Sequence, residues 1–171
     1  MHIKRIIGFM FLATMLLVSA CTISYKFNTA SIDYTVIKTI TINDFLNQAP
    51  RVYPPLAQTL TEEMKDLFTR KTRLSLVQAN GDLELEGEIV GYDETPMAVK
   101  EDAWASQSKL TLSVRVRFTN KSNPDKDFEQ TFSAYREYPA TQMLNEVEER
   151  LTKELAEEIN DQIFNATVAD W

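Results

Sequence analysis

This chain of 171 residues has almost no histidine or cysteine: one of each, His2 and Cys21. It also has only one long apolar run, Ile6 to Val18, and that run is 13 residues long. A membrane-spanning helix needs roughly 20, and no stop-transfer charges follow Cys21, so an uncleaved transmembrane helix is disfavoured. His2, Lys4 and Arg5 precede the run, and Leu17-Val18-Ser19-Ala20-Cys21 ends it. A basic start, an apolar middle and small residues at the cut site make a secretory signal peptide. A cysteine directly after Ser19-Ala20 makes it a lipobox. Cleavage before Cys21 removes the only histidine, and acylation consumes the only cysteine. The mature chain then has no imidazole and no free thiol. That excludes Ser-His-Asp and Cys-His catalysis, disulfides, and nearly all zinc, copper and haem ligation. Carboxylate chemistry and hard-cation sites remain open.

Residues 1–20 therefore read as signal peptide, 21–33 as a lipidated tether and 34–171 as one domain. The 151 mature residues suffice for a single core. Removing Lys4 and Arg5 from 18 basic residues leaves 16 against 25 acidic ones, a formal charge of −9. Such a surface repels nucleic acid, and an anionic partner would need a local basic patch.

Tyr34 to Ile42 is dense in β-branched residues and reads as a strand, with Val36, Ile40 and Ile42 on one face. Asn43 to Pro50 reads as a loop. Pro54-Pro55 opens a helix, where a missing N–H costs nothing. Leu56, Leu60, Met64, Leu67 and Phe68 form its apolar stripe, and Arg70, Lys71 and Arg73 suit its C-terminal end. Leu74 to Gln78, the turn Asn80-Gly81-Asp82 and the run Leu83 to Tyr92 read as a hairpin. Asp93 to Ser108 reads as a long connection of the kind that is often functional. Leu110, Leu112, Val114, Val116 and Phe118 alternate cleanly, and Phe128 to Tyr135 returns as a second hairpin. Thr141 is placed to cap a long helix with Leu144, Val147, Leu151, Leu155, Ile159 and Ile163 on one stripe. Asn165 to Trp171 reads as a tail.

Each helix has one apolar stripe and each main strand one apolar face. The fold class is therefore α+β: a two-layer sandwich, two helices on one face of a mixed, mainly antiparallel sheet of four to five strands. Tyr34–Ile42 and Leu74–Gln78 are placed to run parallel across the first helix. The other sheet face should be polar, carrying Glu84, Glu86, Glu88, Lys109, Thr111, Ser113, Arg115, Arg117, Thr131 and Ser133.

That face holds the candidate sites. Glu84, Glu86 and Glu88 form a row of carboxylates whose simplest reading is a solvated face, with acid–base work as the alternative. Lys109, Arg115 and Arg117 share one parity and suit an anionic, phosphate-bearing head group through guanidinium contacts. The competing reading pairs them across strands with the glutamates. Met97 and Trp104, in the long connection, are candidates for docking a partner. No cofactor or metal is expected; a cation is the second alternative for the glutamate row, after acid–base work.

The order of motifs resembles the LptE family of lipopolysaccharide-assembly lipoproteins. A lipobox is followed by Tyr25 to Ile32, then Ile37-Lys-Thr-Ile-Thr-Ile42 with Phe45 and Ala49-Pro50. Gly81-Asp82 leads into Leu85-Glu-Gly-Glu-Ile89. The strand Lys109 to Val114 and a closing Ile163 to Trp171 complete the series. The resemblance covers essentially the whole mature chain. It implies an outer-membrane lipoprotein facing the periplasm, anchored through Cys21, that is not an enzyme. It implies a plug inside the large β-barrel LptD, which helps that barrel assemble, binds lipopolysaccharide and supports its insertion into the outer leaflet. The basic residues of the family do not map position by position, so Lys109, Arg115 and Arg117 rest on strand parity alone. Two rival readings are a free periplasmic lipoprotein binding a small ligand or peptidoglycan, and a carboxylate hydrolase.

Overall fold

The structure is a computed structural model that describes residues 32–97 and 106–169. In chain order the elements are β1 (Thr39–Ile42), β2 (Leu46–Asn47), α1 (Pro55–Lys71), β3 (Ser75–Leu76), β4 (Leu83–Pro96), β5 (Gln107–Asn120), β6 (Phe128–Pro139) and α2 (Leu144–Phe164). The strand order is β3-β1-β4-β5-β6, with β2 paired to β4 outside that path. The two helices pack on one face of this six-stranded, mixed sheet. Architecture and layer count match the sequence expectation; β2 is a two-residue addition, and the strand expected at Leu74–Gln78 is shortened to β3.

Three long strands dominate. β4 pairs antiparallel with β5 from Leu83 opposite Asn120 to Pro96 opposite Ser108. β6 pairs antiparallel with β5 from Phe118 opposite Phe128 to Gln107 opposite Pro139. The alternation in β5 sends Leu110, Leu112, Val114, Val116 and Phe118 to the helix side, where each is at most 1% exposed. Burying side chains of this size stabilises by roughly 1.5–3 kcal/mol each. Leu56, Leu60, Met64, Leu67 and Phe68 of α1 join the same core, over β1 and β3 and against α2, while Leu151, Leu155, Ile159 and Ile163 of α2 lie over β5 and β6.

The register slips between Ile89 and Gly91. This bulge matters for the core. Strict alternation from Leu83, Leu85 and Ile89 would turn Tyr92 outward. One extra residue returns it to the helix side, opposite Leu112, where it is fully buried.

The short parallel strands depart from the sequence expectation. Residues 34–36 form a turn, not strand. Asp33 Oδ1 accepts from Thr35 N–H at 2.9 Å and from Thr35 Oγ1 at 2.5 Å, a local turn that competes with extension. Val36 is consequently 55% exposed instead of inward. Leu74–Gln78 and Leu83–Tyr92 are not a hairpin. β1 lies between β3 and β4, parallel to both, so the turn at Asn80-Gly81-Asp82 carries the chain past the end of β1. Asn80 has φ 57° there, a left-handed conformation asparagine tolerates. Gly81 is needed for close approach: its N–H donates to Thr41 Oγ1 at 2.9 Å, and a Cβ would sit 2.6 Å from Thr41 N. Part of the expected loop Asn43 to Pro50 is β2, paired with Glu88 and Ile89.

Three smaller corrections concern the ends. β4 runs to Pro96 and β5 starts at Gln107, so the expected connection from Asp93 to Ser108 is strand over its first four and last two residues. Thr141 does not cap α2. The helix starts at Leu144, and Glu146 Oε2 accepts from Met143 N–H at 3.2 Å, closing the first turn in its place. The expected tail instead continues α2 as a wider turn, Asn165–Ala169, with Thr167 and Val168 buried.

Candidate functional site

The outer face of β4, β5 and β6 carries no covering element among the described residues. Alternation places Glu84, Glu86 and Glu88 there from β4, and Arg115 and Arg117 from β5. The register sets Glu86 opposite Arg117 and Glu88 opposite Arg115. On the other side, β6 sets Glu129 opposite Arg117 and Thr131 opposite Arg115.

Cross-strand ion pairs follow from that register. Arg115 donates to Glu88 Oε2 through Nη2, and its Nε lies 4.0 Å from Glu129 Oε1. Arg117 reaches Glu86 Oε2 through Nη1 and Glu129 Oε2 through Nε, both at 3.3 Å. Glu129 therefore bridges both guanidiniums. The five side chains line a shallow depression of about 200 Å³. The Glu88 carboxylate, by hydrogen bond and charge, holds the Arg115 guanidinium above its ordinary value. Each partner stays well hydrated, and such exposed pairs add little stability and exchange readily.

Lys109 stands apart. It is six residues from Arg115 on the same strand, roughly 20 Å away. Its Nζ lies 5.5 Å from the centroid of the Tyr135 ring, which is 55% exposed. The outer face thus brings Arg115 and Arg117 together and gives Lys109 a separate cation–π contact. Between them Ser113 and Ser133 share a hydrogen bond of 2.8 Å.

The glutamate row makes no carboxyl pair. Glu84 is bound by Lys121 Nζ at 2.8 Å, and Glu86 and Glu88 by the two arginines. Each carboxylate faces a cation and open solvent. No group of three metal-ligating side chains occurs among the described residues. Met97 is 37% exposed where β4 ends. Trp104 lies outside the described residues, as does Cys21. No helix among the described residues is long and apolar enough to cross a membrane.

A second polar cluster lies on the helix side, where sequence reasoning did not look. Arg51 reaches Glu94 and Glu148, each at 3.4 Å. Tyr92 Oη donates to Glu148 Oε1 at 3.0 Å and lies 3.0 Å from Thr152 Oγ1. Tyr138 Oη donates to Glu94 Oε1. Burial pushes both phenols above their ordinary value, and the neighbouring carboxylates add to the effect. This cluster pins the N-terminal half of α2 and the segment before α1 to the bulged part of β4. Its members are distant in sequence, and only the bulge brings Tyr92 inward, so no local signal announced it.

A family model described as LptE: Lipopolysaccharide-assembly matches residues 37–167. No curated protein matches the chain. Among solved structures, a minor lipoprotein from Acinetobacter baumannii is similar at a TM-score of 0.53 and 16% identity, over 79% of this chain and 95% of that one. A protein from Xanthomonas campestris is similar at 0.54 and 12% identity, over 78% and 85%. A hypothetical protein from Chlamydia trachomatis is similar at 0.53 and 12% identity, over 78% and 99%. At such identities the likeness is one of fold.

Proposed function

This chain belongs to the LptE family of lipopolysaccharide-assembly proteins, and from that premise we propose that it acts without catalysis, as plug and assembly factor of an LptD-type outer-membrane barrel. In this role it supports lipopolysaccharide binding and insertion into the outer leaflet. The family match carries the reading, because residues 37–167 span every strand and both helices. The domain sits on the periplasmic side of the outer membrane, held by acyl chains on Cys21. Residues 1–20 are the signal peptide, 21–33 the tether and 34–171 the working domain. A doubly or triply acylated cysteine anchors a protein stably on its own.

The lipopolysaccharide head group is contacted by Arg115 and Arg117 as one subsite and by Lys109 beside Tyr135 as another. A polyanion with separated phosphates suits two such subsites. Phosphate contact requires the guanidiniums to leave Glu86, Glu88 and Glu129, and the exposure of those pairs keeps that exchange cheap. Met97 and Trp104 form a docking element for the barrel. Each glutamate of the outer row is matched by a cation instead of a second carboxyl, which supports a non-catalytic role.

The test is affinity isolation of the protein from native outer membranes. A large β-barrel should co-purify in stoichiometric amount. Recovery as a free monomer, with the barrel absent from the detergent extract, overturns the reading. Cys21→Ser should leave the domain folded and lose outer-membrane localisation.

A further inference from the structure

Helices α1 and α2 lie side by side on the sheet, and a groove of about 600 Å³ runs between their outer edges. The Asn160 side chain hydrogen-bonds the Glu63 carboxylate at its base, but one oxygen of each residue has no donor within hydrogen-bond distance. Asn160 is 2% exposed and donates Nδ2 to the Leu60 carbonyl at 3.3 Å, which leaves its Oδ1 unpaired. Glu63 is half-buried, and its Oε2 is equally unpaired. An acceptor buried without a donor is costly.

The charges around the groove point the same way. Asp66 is taken by Arg70 at 2.8 Å and Asp161 by Lys71 at 3.1 Å. That leaves Lys153 facing both Glu63 and Glu157, one positive charge short. Burial pushes the Glu63 carboxyl up and Glu157 pushes it further, against the smaller opposing pull of Lys153 and of the Asn160 hydrogen bond.

We propose that this groove binds a guanidinium or primary ammonium group on an aliphatic stem, with N–H donors to Glu63 Oε2 and Asn160 Oδ1. Such groups are donors only, carrying five or three N–H bonds and no acceptor. An anion or carbonyl ligand would set acceptors against acceptors and worsen the charge. A water molecule would supply donors and leave the charge unbalanced. Leu67 lines the groove as an apolar wall for the stem, and the volume falls in the range of small-ligand sites. The cation comes from a free diamine-like metabolite or from an arginine side chain of a protein partner. The proposal is independent of the barrel reading.

The test uses the full-length chain in detergent micelles, with NMR signals from the Glu63 side-chain carboxyl and the Asn160 side-chain amide. Agmatine represents a free cation, and acetyl-arginine methylamide a partner's side chain. Tetramethylammonium supplies charge without donors. Agmatine or the blocked arginine should shift both signals saturably, with tetramethylammonium shifting neither. The tighter of the first two identifies the source. Glu63→Gln, which keeps shape and removes charge, should weaken binding at least tenfold. Absence of saturable shifts, equal shifts from tetramethylammonium, or unchanged affinity in folded Glu63→Gln overturns the proposal.

Discussion

The ring of Phe45 occupies the place a side chain would take at Gly87: a Cβ there would lie 2.1 Å from Phe45 Cε1. Gly87 is on the inward face of β4, opposite Val116. Phe45 is 4% exposed, and its N–H donates to Thr61 Oγ1 of α1 at 2.9 Å. The missing side chain in β4 thus lets the segment after β1 join the core and tie to a helix. Gly87→Ala should cost about 1–3 kcal/mol by overpacking, despite alanine's better strand propensity. Urea unfolding should show a lower midpoint at unchanged slope. Phe45→Leu in the same chain should recover part of the loss, and an additive double mutant would refute the contact.

Much of this fold was legible because its long elements are periodic. Both helical stripes and the alternation of β5 depend on local pattern alone. The parity that puts Arg115 and Arg117 on one face with Glu86 and Glu88 opposite came from the same source. What failed depends on non-local pairing. β1 inserts between β3 and β4 through contacts of a few residues, too short to leave a period. Glu129 joins the arginine cluster through the β5–β6 register, which the turn between them sets. Tyr92 faces inward through a bulge that breaks the period of its own strand. One miss was avoidable: Asp33 followed two residues later by Thr35 is a local turn signal, and it straddled the start of the stretch read as strand, Tyr34–Ile42.

Tyr92 should make stability fall in alkali. Its phenol is buried against Glu148 and Thr152 and titrates above the ordinary 10.0. Unfolded chains therefore lose this proton first, and stability present below pH 10 declines as pH rises toward the native value. Tyr138 shifts in the same direction, again chiefly through burial. Tyr92→Phe should cost about 1–2 kcal/mol at neutral pH, since it leaves the Thr152 hydroxyl without its phenol partner. It should also flatten, without abolishing, the decline between about pH 9 and pH 11. Urea midpoints across that range check both effects.

Asp82 should do the opposite at low pH. Its Oδ2 accepts from Lys38 N–H at 2.8 Å, and from Thr39 N–H and Thr39 Oγ1 at 2.9 Å. These hydrogen bonds, the Lys38 amide first, hold the carboxyl below its ordinary 3.8. The stability they add is present above pH 3.8 and disappears as pH falls through the native value. Asp82→Asn keeps an acceptor and removes the charge, so about 1 kcal/mol should be lost at neutral pH. The acid limb of the stability curve should flatten in the variant. A wild-type-like acid limb in thermal melts would rule this role out.

Glu129 gives the sharpest test of the outer face, because one carboxylate bridges both candidate guanidiniums. If Arg115 and Arg117 serve only to solubilise the sheet, Glu129→Gln changes nothing but local charge. If they receive a phosphate, Glu129 competes with it, and removing that competitor should tighten lipopolysaccharide binding several-fold. Arg115→Gln with Arg117→Gln should weaken binding while leaving the melting temperature essentially unchanged, since all these groups are exposed. Lys109→Gln should weaken it separately and additively, because roughly 20 Å of strand separates the two subsites. The opposite signs for Glu129 and the arginines are what a competing-anion site requires. Equal weakening by all variants would instead indicate that the cluster supports the sheet and that the glycolipid binds elsewhere. Binding of fluorescent lipopolysaccharide to the detergent-solubilised chain, at two salt concentrations, separates these outcomes.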